Sequence, residues 1–173
     1  MESIDRRESI LSDIINSKKP LTGGFLAGKY NVTRQVIVQD IAILRAAGKE
    51  IIATPQGYIL PRYHETKTFN RIIASKHDVA GMEDELTTIV SHGGSVLNVI
   101  IYHPLYGEFK GQLMISSIQD VHSFISRMNK EGAEPLSSLT EGVHLHTIEA
   151  DSIEILDEIE NALEKKGYLL SND

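Results

Sequence analysis

"VTRQVIVQDIAILRAAGKEIIATPQGYIL", residues 32–60, decides the fold of the first third of the chain. Thr33 is a helix N-cap and Gly48 a helix stop, so a helix is expected between them. Phased at roughly 100° per residue, Ile37, Ile41 and Leu44 share one stripe and should pack inward. Gln35, Val38, Gln39 and Ala42 share the opposite stripe, which is short, rich in amides and free of acids. "EIIATPQGYIL" then reads as two short strands about a turn at Thr54–Gly57. Working upstream, residues 5–17 carry Ile10, Leu11, Ile14 and Ile15 at helical spacing. Pro20 breaks that pattern, Thr22 caps a short second helix through about Lys29, and Asn31 suits a left-handed turn.

Helix, helix, turn, helix and hairpin is the order of a winged helix-turn-helix. Its outer stripe suits base edges. Glutamine amides bond bidentately to adenine, and Val or Ala methyls can touch the thymine methyl. Thr33 and Arg34 at the helix start suit phosphate or a guanine edge. The expected DNA contacts are Thr33, Arg34, Gln35, Val38 and Gln39, with Gln56 in the hairpin turn. A solvated polar helix face would look much the same, and the hairpin is what favours DNA. The stretch resembles the winged helix-turn-helix of the biotin-repressor type at Thr33, Arg34, Ile37, Ile41, Leu44, Arg45, Gly48, Gly57, Tyr58 and Leu60.

Composition sets the bounds. The 173 residues hold 41% hydrophobic and 24% charged side chains, ordinary for a soluble globular chain. No apolar run is long enough for a membrane span, and the N-terminus lacks a secretory pattern. There is no cysteine, hence no disulfide framework and no thiolate site. A cytoplasmic protein without membrane partners is expected. The net charge of −7 is divided unevenly: residues 1–62 carry +3 and the remainder −10. A basic N-terminal piece on an acidic body is compatible with nucleic-acid binding.

Residues 63–68 read as a linker between a winged helix-turn-helix domain at 1–62 and a second domain at 69–173. The second domain alternates strands and helices. "FNRIIASK" is a strand. Asp78 caps a helix through about Ser91. "SVLNVIIYH" and "EFKGQLMI" flank "PLYG" as a hairpin. Ser116 or Ser117 caps a helix burying Val121, Phe124, Ile125 and Met128. "EPLSSLTEG" is a loop and "VHLHTIEA" a strand. The last helix is expected to bury Ile153, Ile155, Leu156, Ile159 and Leu163. The pattern is α+β, a mainly antiparallel sheet covered by helices on one side.

His144 and His146 in "EGVHLHTIEA", residues 141–150, fall on one face of that strand. Two buried imidazoles need polar partners, and a cation that takes both ring nitrogens removes the cost of burying them. A third ligand and a carboxylate are available from His77 and from Glu83 or Glu85, between which helix geometry does not choose. The bland alternative for "EDE" is a solvated helix face favouring the positive helix N-terminus.

"ASKH" followed eight residues on by Glu85, then "VIIYHPLYGEFKG", "ISSIQDVHSFI" and "PLSSLTEGVHLHTIEA", resemble the three-histidine (3H) domain. Joined to the winged helix, the chain is similar throughout to the niacin-responsive repressors of bacterial NAD-biosynthesis and niacin-transport genes. The resemblance implies that His77, Glu85, His144 and His146 bind a divalent metal, and their nitrogen and oxygen donors suit a transition metal, Zn, Ni or similar. It also implies nicotinic acid as co-repressor and double-stranded operator DNA as target. A homodimer is expected, because specific repressor affinity is usually reached by doubling a small footprint. One departure is Gly81, where a helix former is expected, which would loosen the helix carrying Glu85. The alternatives are a metal-sensing repressor and a small metal-dependent hydrolase. For the hydrolase, Glu83, Glu108 and Glu149 lack diagnostic spacing, and no nucleophile motif or phosphate-binding loop is present. The expectation is a regulator, not an enzyme.

Overall fold

The computed structural model describes residues 2–61 and 68–170. The linker expected at 63–68 lies outside the described residues except for Thr68. The chain divides into two compact units, residues 1–63 and 64–173.

In the first unit, helices α1 (Ser3–Asn16), α2 (Gly23–Tyr30) and α3 (Arg34–Ala46) precede a hairpin of β1 (Ile52–Thr54) and β2 (Gly57–Ile59). The Thr22 and Thr33 side chains accept from the amides of Phe25 and Val36, so the helices begin where hydroxyl caps occur. Asn31 ends α2 in the left-handed region. Ile10, Ile14, Leu26, Ile37, Ile41, Leu44 and Ile51 form the core. One pairing lay beyond the periodicity: Leu21 and Tyr58 exchange backbone hydrogen bonds at 2.9 and 2.8 Å, tying the wing to the entry of α2.

The second unit contains β3 (Phe69–Lys76), α4 (Met82–Ser91), β4 (Ser95–His103), β5 (Gly107–Ile115), α5 (Ile118–Glu131), β6 (Val143–Ala150) and α6 (Ile153–Lys165). The sheet order is β3-β6-β4-β5, antiparallel at every pairing. β6, last in sequence, is thus inserted between β3 and β4. One sheet face packs Ile73, Val96, Leu113, Ile115, Ile148 and Ala150 against the apolar stripes of α4, α5 and α6. The other face leaves Ile72 and Tyr102 exposed. Among the described residues, no helix is long and apolar enough to cross a membrane.

Four expectations are corrected. Asp78 caps a 3-10 turn, Val79–Gly81, and α4 starts only at Met82. Gly81 therefore lies before the helix and does not loosen it. A Cβ there would stand 3.0 Å from the His77 Cβ, so its missing side chain makes room for that histidine. Ile153 is 48% exposed rather than buried, because it is the first helical residue and sits at the edge of the stripe. The expected loop at 134–142 contains a 3-10 turn, Leu136–Thr140, with Leu136 over Gly111 of the sheet.

Candidate metal centre and DNA-reading face

β6 places His144 and His146 on the helix-covered face, both nearly fully buried. β3 ends at Lys76, so His77 follows its strand directly, and the 3-10 turn returns the chain toward it. α4 then brings in Glu85, 0% exposed. Glu85 lies on the buried stripe of α4 with Met82, Leu86 and Ile89, whereas Glu83 is exposed and faces His122. Helix phase relative to the sheet, which the sequence did not contain, is what brings Glu85 to the histidines.

All three histidines aim Nε2 at a single carboxylate oxygen. Glu85 Oε2 lies 2.6 Å from His77 Nε2, 3.2 Å from His144 Nε2 and 3.3 Å from His146 Nε2. The rings sit edge to face, His77 with His144 and His144 with His146, at centroid distances of 4.8 and 4.7 Å. The ligand atoms of His77, Glu85 and His144 lie mutually within 4.8 Å, and His146 adjoins that set through Glu85. Burial pushes the Glu85 carboxyl up, but the imidazoles bonded to it outweigh burial and hold it far below the usual carboxylate range.

Each ring is fixed from behind by a backbone carbonyl. His77 Nδ1 donates to Asp78 O at 2.7 Å, His144 Nδ1 to Gly142 O at 2.8 Å, and His146 Nδ1 to Asn98 O at 2.8 Å. A carbonyl oxygen only accepts, so each Nδ1 carries the proton. In a neutral ring, Nε2 is then a lone pair, and three lone pairs converge on an ionised carboxylate. This arrangement repels itself unless a cation sits among them, either a proton on Nε2, which makes the bonds that depress Glu85, or a metal ion held by the same atoms. Glu85 Oε1 is also buried without a partner. Three imidazoles with one carboxylate form a nitrogen and oxygen donor set suited to Zn, Ni, Co, Fe or Mn. The residues present fit a divalent ion.

The three carbonyls are contributions that reading side chains did not find. Asn98 follows a bulge in β4, where the register slips between Val96 and Asn98 against both neighbouring strands. Its side chain accepts from Thr147 N at 3.2 Å while its carbonyl meets His146. Gly142, at φ +90°, is so close to His77 O that any Cβ would collide with it. Glycine just before "VHLH" was the available signal for this approach.

In the first unit Gln35, Val38, Gln39 and Ala42 form one exposed face of α3. Arg34 is exposed at the helix start, and the Thr33 hydroxyl is committed to the cap. Gln56 differs from the others: its amide atoms are shielded and unpartnered, so it would have to turn outward to reach a ligand. The buried face of α3 holds Asp40, 2% exposed, which the apolar pattern did not single out. Asp40 Oδ2 accepts from Arg6 Nε at 2.6 Å, and its Oδ1 accepts from Arg6 Nη2 at 3.3 Å and Arg7 Nη1 at 3.5 Å.

Comparison with known proteins agrees with both halves. An HTH domain family matches residues 6–59 and the 3H domain family matches residues 70–172. The probable transcription repressor NiaR of Thermotoga maritima is 43% identical over 166 residues, 96% of this chain and 94% of that protein. The transcription repressor NadR of Bacillus subtilis is 42% identical over 170 residues, 97% of this chain and 94% of that protein. An uncharacterized protein of Methanothermus fervidus is 30% identical over 105 residues, 57% of this chain but 16% of that protein. The first two relatives are named as transcription repressors, which sets the hydrolase reading aside. The chain belongs to the family of transcription repressors that join an N-terminal helix-turn-helix domain to a 3H domain.

Proposed function

We propose that the chain represses genes of NAD biosynthesis or niacin uptake, with nicotinic acid as co-repressor and a divalent ion held by His77, Glu85, His144 and His146. The observation that carries the metal reading is the set of three imidazoles whose Nδ1 protons are committed to carbonyls while every Nε2 faces Glu85. A bound divalent ion supplies the missing positive charge and open coordination positions, to which a pyridine nitrogen or a carboxylate can add. The carbonyls orient the rings, Glu85 supplies the anionic donor, and the packed helix face limits access of water.

In this reading residues 1–62 bind DNA, 63–68 link and 69–173 bind metal and effector. Arg34 and Thr33 position the helix on phosphate, and Gln35, Val38 and Gln39 read base edges, with Gln56 on the wing. The repressor acts in the cytoplasm as a homodimer on an inverted repeat. Titrating operator DNA binding first with Zn or Ni alone, then with nicotinic acid or nicotinamide added, tests this. Tightening that requires both ion and nicotinic acid is expected. Full repressor affinity with the ion alone would favour the metal-sensing alternative, which uses the same ligands. A monomeric mass at micromolar concentration with DNA present would end the dimer proposal.

A further inference from the structure

Ser75 stands on β3 directly opposite His144 of β6, just as Ile73 stands opposite His146. It therefore shares the helix-covered face with the two histidines and precedes His77 by two residues. Directly opposed residues hold their Cβ atoms about 4.5–5.5 Å apart, which puts the serine side chain beside the His144 ring. Ser75 is 0% exposed, and its hydroxyl has no partner. Among the described residues of this unit, the other buried side-chain atom in that condition is Glu85 Oε1. One is a donor without an acceptor and the other an acceptor without a donor. Both belong to residues that adjoin His144, Ser75 through the strand register and Glu85 through its 3.2 Å approach to Nε2. An unsatisfied hydroxyl at a fully buried strand position is unfavourable, and packing alone would be served better by alanine.

We propose that Ser75 is a positioning residue of the metal centre. With the ion bound, its hydroxyl donates to Glu85 Oε1 through one water and so keeps Oε2 turned toward the ion, whereas in the ion-free chain both atoms are unpartnered. Metal-ligating carboxylates are generally held by such outer hydrogen bonds, and losing one typically weakens metal binding by about 10–100-fold. The inference rests on the metal reading above and adds a residue to it.

The test is Ser75→Ala in the full chain, with Zn and Ni affinity measured by calorimetric competition and thermal unfolding recorded with and without the ion. In the ion-free chain the substitution removes an unpartnered hydroxyl, so its melting temperature should stay equal or rise. Metal affinity should fall about 10–100-fold, and the rise in melting temperature on adding the ion should shrink accordingly. Wild-type affinity in Ser75→Ala would overturn this inference alone. So would a loss of affinity accompanied by a lower ion-free melting temperature, which would make the hydroxyl part of the fold. A wild-type chain that takes up neither ion would overturn the metal reading itself and this inference with it.

Discussion

Among the described residues each unit buries one carboxylate, and the two are neutralised in opposite ways. Asp40, on α3, is met by Arg6 and Arg7 of α1, permanent cations that the chain itself supplies. Glu85, on α4, is met by three histidines whose Nδ1 protons are already committed to carbonyls. The first cluster is closed and ties the face opposite Gln35, Val38 and Gln39 to α1. The second has the negative charge and the donor atoms but no fixed positive charge. A buried ion that completes itself reads as structure, whereas one left incomplete reads as a binding site.

The sharpest contrast comes from removing each charge. Glu85→Gln should weaken Zn or Ni binding by more than about 100-fold, beyond the loss typical of an outer-shell group. In the ion-free chain the amide can still donate to an imidazole lone pair but loses the charge that the imidazoles hold, so the melting temperature should fall only slightly. A large drop in the ion-free melt would mean that Glu85 is an ordinary structural ion pair. Asp40→Ala should behave oppositely, destabilising the chain by about 3 kcal/mol with or without metal, as breaking a buried pair does. Calorimetric metal titration of the same variant should give wild-type affinity.

Backbone contributions can be broken as well. Gly142→Ala places a Cβ against His77 O at a residue with φ +90°. It should cost about 1–3 kcal/mol in denaturant unfolding and displace His77, lowering metal affinity while leaving DNA binding without the effector intact. Equal effects on both activities would show that the two sites are not separable. On the other unit, Gln39→Ala should cost about 1–3 kcal/mol on operator DNA and little on random DNA. Equal losses on both would give Gln39 a positioning role instead of a reading one.

The smallest expected effect concerns pH. Burial pushes Asp13 up, but Lys29 and Tyr30, each bonded at 2.6 Å, hold its carboxyl below the ordinary range. A depressed native value means stabilisation that is complete above the unfolded value of about 3.9 and lost as pH falls through the native one. Asp13→Asn should therefore lower the melting temperature slightly at pH 7 and not at all in strong acid. An identical deficit at both pH values would remove the carboxylate's charge from the account.

Much of the first unit was legible because its signals are local. Caps at Thr22 and Thr33, the stripe of Ile37, Ile41 and Leu44, and the turn before Gly57 each act within a few residues. In the second unit the alternation of "VHLHTIEA" was enough to put His144 and His146 on one face. Asp40 escaped notice because its phase on α3 is that of a core residue while its partners lie 34 and 33 residues away. Glu83 and Glu85 stayed equivalent for a related reason: one helix offers both, and only packing on the sheet turns one of them inward.

The sequence alone determined the order of the main helices and strands, the caps at Thr22 and Thr33, the apolar stripes and the shared face of the two histidines, all consequences of backbone period and short-range sterics. The tertiary structure decided the insertion of β6 between β3 and β4, the choice of Glu85, the closure of Asp40 by α1 and the carbonyls that orient the three imidazoles. Those depend on which strands become neighbours and where a ladder slips. Carbonyls of this kind belong to every residue type alike, so only the packed chain gives them a direction.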